Sequence, residues 1–344
     1  MSSIAAGIGW HVLGASMAAS FYAPIEKVRK WSWETTWALA GLFSWILLPI
    51  GVSLVLLPDF RGFYAAMDAG LLVKVALFGA MWGVGNVSYG LTMRHLGMSL
   101  GIGVAIGVTL VAGTLVPPLM HGQAAMLFTT RSGLLTMAGV GVALVGVAIV
   151  SYAGHLKEKQ SGGEVAEFNL GLGLTLAVLC GIFSSGMSFA IDKAAPMATA
   201  ARHAGVNPLY AALPAYVVIM GGGAVVNFAY CFFRLAKVKK LSLRADLAQP
   251  APVLRRNAVL AAAGGIMWYL QFFFYAWGQA NIPAQLGYVN WMLHMSIYVL
   301  CGGLVGLALG EWKSVGSRPV RILWVGMLVI IAAANLVGLG LAAG

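Results

Sequence analysis

Two sets of three side chains stand at helical spacing, 186 residues apart. Trp82, Asn86 and Tyr89 are spaced i, i+4, i+7, and Trp268, Gln271 and Tyr275 are spaced i, i+3, i+7. Each set therefore lies along one face of a helix. An indole, a carboxamide and a phenol on one face offer a flat apolar plate beside hydrogen-bond donors and acceptors. That chemistry suits a neutral polyol: amides, phenols and imidazoles pair with its hydroxyls, and a ring covers its apolar face. A third face adds Gly287, Trp291, His294 and Tyr298, with Asn290 beside His294, and Gln279 and Gln285 lie near the connection before it. The alternative for all of these is interfacial anchoring and hydrogen bonding between helices. Trp31, Trp33, Trp37, Trp277 and Trp312 lie near the ends of apolar runs and fit that alternative, whereas Trp82, Trp268 and Trp291 lie deeper.

Three side chains are candidates for carrying a proton. His11, between Gly7 and Gly14 on one helical face, and His294 fall well inside apolar runs. Imidazole titrates near neutral pH and suits a proton relay; a neutral ring bonded to a neighbouring helix is the alternative. Glu34 directly precedes the second apolar run, where desolvation would suit it to proton carriage; otherwise it caps the helix or pairs with Lys27 or Lys30. There is no G-x-S-x-G, no H-E-x-x-H and no pair of acids within a run. Cys180, Cys231 and Cys301 lack metal-ligand spacing. No catalytic residue, metal or cofactor is expected, and the coupling ion would be a proton.

The elements that must position these residues are membrane spans. Of 344 residues 60% are hydrophobic and 9% charged, against about 25% charged in soluble chains. Apolar runs near 4–24, 37–57, 71–93, 98–119, 134–154, 170–191, 210–233, 258–279, 286–309 and 321–341 give ten helices. The polar stretch 155–169 divides a first repeat, 1–154, from a second, 170–344. Five spans are an odd number, so the second half enters the membrane opposite to the first. The expected architecture is all-α, integral to the membrane, with ten transmembrane helices as two inverted five-helix repeats. Gly79-Ala-Met-Trp82 and Gly265-Ile-Met-Trp268 are the repeated element in the third and eighth spans. Loops after odd-numbered spans hold sixteen lysines and arginines, against five on the other side. They are therefore expected in the cytoplasm, with both termini periplasmic. This pattern accounts for the net charge of +11 without a nucleic-acid partner. The glycine-lined fourth and ninth spans suit internal packing or a dimer equally.

Longer strings carry a resemblance. Phe21-Tyr-Ala-Pro24, Lys30-Trp-Ser-Trp-Glu-Thr35, Tyr89-Gly-Leu-Thr-Met-Arg94, Pro208-Leu-Tyr210, Tyr216-Val-Val-Ile-Met-Gly-Gly-Gly223, Met267-Trp-Tyr-Leu-Gln-Phe-Phe-Phe-Tyr-Ala-Trp-Gly278 and Trp291-Met-Leu-His294 resemble the bacterial L-rhamnose–proton symporters over essentially the whole chain. The resemblance implies the drug/metabolite transporter superfamily, ten helices, the bacterial inner membrane and proton-driven uptake of L-rhamnose. A wall at Phe272 to Phe274, or at Met292, would face the methyl group of that sugar. The alternative is a metabolite or nucleotide-sugar exporter or exchanger of the same superfamily. A phosphorylated substrate wants several cations in the cavity, and only Lys74, Arg94 and Lys193 lie near span ends.

Overall fold

The computed structural model describes residues 2–96, 101, 104–106, 108, 109, 122, 124–160, 169–238, 242–283, 287–308, 310 and 312–342. Every regular element among them is helical. In chain order these are α1 (Ser2–Ser20), α2 (Tyr22–Glu26), α3 (Trp33–Gly41), a π segment (Leu42–Leu47), α4 (Leu48–Leu56), α5 (Phe60–Ala65) and α6 (Ala69–Leu96). Next come α7 (Ala124–Thr129), α8 (Arg131–Gln160), α9 (Leu170–Ser184), α10 (Gly186–Lys193), α11 (Ala195–His203) and α12 (Ala215–Lys237). The last are α13 (Leu243–Leu247), α14 (Ala251–Ala280), α15 (Gly287–Ala308) and α16 (Ser317–Ala342). Helices are the outcome that lipid demands, since each backbone group is then satisfied within its own segment.

Seven helical stretches among the described residues are long and apolar enough to cross a membrane: Ile4–Glu26, Trp33–Leu56, Ala69–Leu96, Arg131–Lys157, Gly171–His203, Ala215–Lys237 and Ala251–Ala280. They fall on seven of the ten expected runs. The ninth and tenth runs fall on α15 and α16, helices of 22 and 26 residues. Most of the fourth run, 98–119, and residues 161–168 of the expected linker lie outside the described residues. The first residues of that linker continue α8 as far as Gln160. Outside the spans, side-chain caps end the helices: Ser32 Oγ accepts from Thr35 N, Asp59 Oδ1 from Gly62 N and Asn169 Oδ1 from Leu172 N.

The helices cross in definite pairs. α1 packs on α14 and α15, and α6 packs on α9, α10 and α12. The α3–π–α4 rod lies against α12 and α14, and α8 runs along α16. Glycines set the closest approaches. A Cβ on Gly79 of α6 would collide with the carbonyl oxygen of Ile219 in α12, and one on Gly265 of α14 with that of Ala40 in α3. The obstacle in both cases is backbone, which has little room to yield. Gly79→Ala and Gly265→Ala are each expected to lower stability by about 1–3 kcal/mol through overpacking. Gly221, with no atom within 4 Å of the same position, is the control. Thermal unfolding of purified protein in detergent checks this; equal midpoints for Gly79→Ala and Gly221→Ala would refute it.

Candidate functional site

The π segment is where the second span stops being a plain rod. Its wider turn brings Ser44 and Trp45 inward, and such turns recur at functional sites. Ser44 and Trp45, with Phe21, Trp37, Asn86 and Trp268, line a narrow cleft. No charged side chain among the described residues lines it. Its enclosed room is about 10 Å³, on the scale of a single water, so a hexose enters this cleft only when its walls move apart.

The walls are largely indole. Trp82 and Trp268 stack on each other, with ring centroids 5.3 Å apart and planes 30° from parallel. Trp45 stands edge-on to both, 6.3 Å from each. Trp37 stacks on Trp33 at 4.9 Å. Two of the tryptophans read as interfacial are in fact buried: Trp37, which lines the cleft, and Trp312, over which the Lys157 ammonium sits. Trp37 lies near a run end in sequence, but it is on the second turn of a helix that begins inside the protein.

Behind the cleft is an amide node. Asn227 of α12 is fully buried. Its Oδ1 accepts from Trp37 Nε1 at 3.0 Å and from Asn86 Nδ2 at 3.1 Å. Its Nδ2 donates to the carbonyl oxygens of Gly223 at 2.9 Å and Gly83 at 3.2 Å. One side chain thus ties together α3, α6 and α12. By contrast, the buried indole N–H of Trp45 has no partner among the described residues.

The imidazoles form a second cluster. His11 Nε2 donates to Asn290 Oδ1 at 2.9 Å, and the Nδ1 atoms of His11 and His294 are 3.3 Å apart. Because His11 uses Nε2–H as a donor, its Nδ1 accepts from His294 Nδ1–H when both rings are neutral. Tyr275 lies 5.2 Å from each ring. Room for the rings comes from glycine: a Cβ on Gly278 would meet His11, and one on Gly14 would meet His294. Trp268 and Tyr275 share a face of α14, and seven residues of helix separate them by roughly 10 Å. The imidazoles and the indole cleft are therefore neighbouring sites along one helix.

At the other end of the cleft lie the charges. Glu34, on the first turn of α3, is 1% exposed. Its Oε1 is 3.3 Å from Arg234 Nε and 4.0 Å from Arg94 Nη1, and its Oε2 has no partner among the described residues. The sequence suggested Lys27 or Lys30 as its partner; the ends of α6 and α12 supply arginines instead. Nearby, Asp246 of α13 accepts from Ser32 N, Ser32 Oγ and Thr35 Oγ1. Asn257 Nδ2 donates to the Arg29 carbonyl oxygen at 2.7 Å. The connection between α12 and α14 is thus fastened over the start of the second span.

The remaining expected site residues divide. Tyr89 OH bonds Tyr298 OH at 3.0 Å, beside the cleft. Trp291 turns its N–H to the carbonyl oxygen of Thr109 at 3.2 Å, so its polar atom is already committed. Gln271 is buried between the two clusters. Phe272 packs on Trp268 with centroids 4.8 Å apart. Gln285 and the side chain of Met292 lie outside the described residues. Trp45, Asn227, Arg234 and Asp246 were not anticipated. A buried amide within a span was a signal for Asn227; Tyr230 and Arg234 stand at i+3 and i+7 from it, but Arg234 counts among the basic residues at span ends that set topology.

Membrane-length helices that bury imidazoles, amides and stacked indoles around an uncharged cleft define a multi-pass membrane protein built as a transporter. The family model described as L-rhamnose-proton symport protein (RhaT) matches residues 1–343, and the chain belongs to that family. It is 61% identical over 341 residues to the L-rhamnose-proton symporter of Cronobacter sakazakii, covering 99% of each chain. It is 62% identical over 336 residues to that of Pectobacterium atrosepticum, covering 98% of each. To that of Shigella flexneri it is 59% identical over 341 residues, covering 99% of each.

Proposed function

We propose that this chain takes up L-rhamnose together with protons across the bacterial inner membrane, by alternating access between two inverted five-helix repeats of the drug/metabolite transporter type. The observation that carries the substrate is full-length identity of about 60% to proteins each named L-rhamnose-proton symporter. The uncharged lining of the cleft supports a neutral sugar over a phosphorylated or nucleotide-linked one. The sixteen-to-five division of basic residues supports periplasmic termini.

Two exchanged pairs of helix contacts and two contacts on the axis support the inverted repeat. Exchanging each of spans one to five with its counterpart among six to ten turns the α1–α14 contact into the α6–α9 contact, and the α6–α12 contact into that of α14 with α3. Gly79 and Gly265 press on backbone in the two members of that second pair. On the axis itself a residue must meet its own counterpart. Trp82 does so with Trp268, and in spans five and ten a Cβ added to Gly146 would lie 3.2 Å from the Gly326 carbonyl oxygen and one added to Gly326 3.1 Å from that of Gly146. Residues 1–154 and 170–344 are then the two units, joined by a cytoplasmic linker at 155–169.

The sugar site is assigned to Trp82, Asn86, Tyr89, Trp268, Gln271, Tyr275, Gln285, Asn290, Trp291 and His294, together with Trp37 and Trp45. His11 and His294 are the proton carriers this geometry favours, while Glu34 joins three helix ends and suits cytoplasmic closure. Purified protein in liposomes tests the reading. An inward proton gradient is expected to drive labelled L-rhamnose inside above its outside concentration. Equal uptake with and without the gradient would reduce the protein to a facilitator, and label that binds without entering would make it a receptor. In the same assay Glu34→Gln is expected to keep its response to the gradient; uptake that persists but no longer responds to the gradient would move the proton site to Glu34.

A further inference from the structure

The four hydrogen bonds of Asn227 admit one amide orientation. An indole N–H only donates, so the atom facing Trp37 Nε1 at 3.0 Å is the Asn227 carbonyl oxygen. Backbone carbonyls only accept, so the atom facing Gly83 and Gly223 is the amide nitrogen. Asn86 must then offer its nitrogen to Asn227 Oδ1, and it does so at 3.1 Å. The end of the Asn86 amide left for the cleft is its carbonyl oxygen. The Trp37 N–H is likewise used up, whereas the Trp45 N–H has no partner among the described residues.

We propose that Asn227 is a positioning residue that sets the hydrogen-bonding polarity of the sugar site, so that the cleft presents a fixed acceptor at Asn86 Oδ1 and a donor at Trp45 Nε1. This rests on the reading of the cleft as the sugar site. One hydroxyl of the sugar donates to Asn86, and a hydroxyl can also accept from Trp45. A group that cannot donate leaves the Asn86 oxygen unsatisfied when water is excluded, which discriminates about tenfold or more. Without Asn227 the Asn86 amide turns over freely and that discrimination is lost.

The probes are L-rhamnose and a set of analogues, each with one ring hydroxyl replaced by fluorine, which never donates. Binding to purified protein is measured for wild type, Asn227→Ala and Asn86→Ala, with thermal unfolding confirming that each is folded. Wild type is expected to bind one analogue about tenfold more weakly than rhamnose. In both variants that ratio collapses toward one. A packing role alone would weaken rhamnose and analogues alike and leave the ratio standing, which overturns the proposal. If Asn227→Ala does not fold, Asn227→Leu carries the test, since it keeps the volume and removes the amide that orients Asn86. Rhamnose binding with no analogue penalised overturns the polarity assignment alone. No rhamnose binding by the wild type overturns the sugar site itself.

Discussion

His294→Asn and His11→Asn are expected to abolish accumulation of L-rhamnose while leaving exchange of labelled for unlabelled sugar across the same liposomes. The two rings share one hydrogen bond, with Nδ1 facing Nδ1 at 3.3 Å. When both are neutral, one nitrogen donates and the other accepts. An added proton fits, because the cationic ring then donates and the neutral ring accepts. A second added proton does not fit, because two N–H groups and two positive charges would face each other. The pair is thus built for a single exchangeable proton, and one proton per sugar is the expected ratio. With that ratio a gradient of one pH unit supports about tenfold accumulation. Asparagine keeps a donor and an acceptor in the place of the ring but binds no proton in this range. Each variant should therefore accumulate sugar only to equality, whatever the gradient. Exchange needs no net proton movement, so its survival shows that the protein is folded and binds sugar. Retained accumulation in both variants would remove the imidazoles from the proton path.

On the proposed reading, α14 is the element that couples proton to sugar. Tyr275 touches both imidazoles, Trp268 lines the cleft, and Gln271 lies between them on the same face. Coupling requires that proton and sugar each favour the same conformation. One helix that carries both contacts moves both sites when it tilts against α1, where His11 resides. The charge cluster at Glu34 sits at the far end of the bundle, on α3, α6 and α12. Its place suits holding the cytoplasmic side shut while the other end admits ligand.

The membrane class and nearly all the spans were legible because apolar runs of span length have few other uses. Trp82 and Trp268 were legible as members of a repeated element, each beside an amide and a phenol at helical spacing; that their rings stack on each other was not. His11, Asn290 and His294 were legible singly, as polar groups within spans. Their union was not, since it joins residues 283 and 279 positions apart. Trp45 and Asn227 escaped because Trp37 and Arg234, which stand at helical spacing from them, lie near run ends and read as an interfacial anchor and a topology signal. Trp45 also depends on the π segment, which rotates it away from the position an α-helix would give. The arginine partners of Glu34 escaped because sequence proximity favoured Lys27 and Lys30, while Arg234 is 200 residues away.

Trp268→Leu is expected to weaken L-rhamnose binding by tenfold or more, and Trp82→Leu to act mainly on stability, even though the two are counterparts. The difference lies in what surrounds each ring. Trp268 lines the cleft, where its face is available to the apolar side of a sugar. Trp82 stacks behind it and fills the crossing of α6 with α12, where a Cβ on Gly223 would strike the ring. Removing a large buried aromatic typically costs about 3–5 kcal/mol when cut to alanine; leucine retains part of that volume and keeps the variants measurable. Binding affinity and unfolding midpoint, taken on both proteins, separate the two effects. Identical shifts in both quantities for both variants would contradict the assignment. The asymmetry has a further consequence under alternating access. If the proposed inverted repeats exchange conformations, then in the oppositely open state Trp82 would take the lining place and Trp268 the packed one. Trp82→Leu should therefore impair sugar binding from the second side of the membrane while largely sparing it from the first. Binding measured on right-side-out and inside-out vesicles distinguishes the two, and a Trp82→Leu protein impaired equally from both sides would show that the rings do not trade roles.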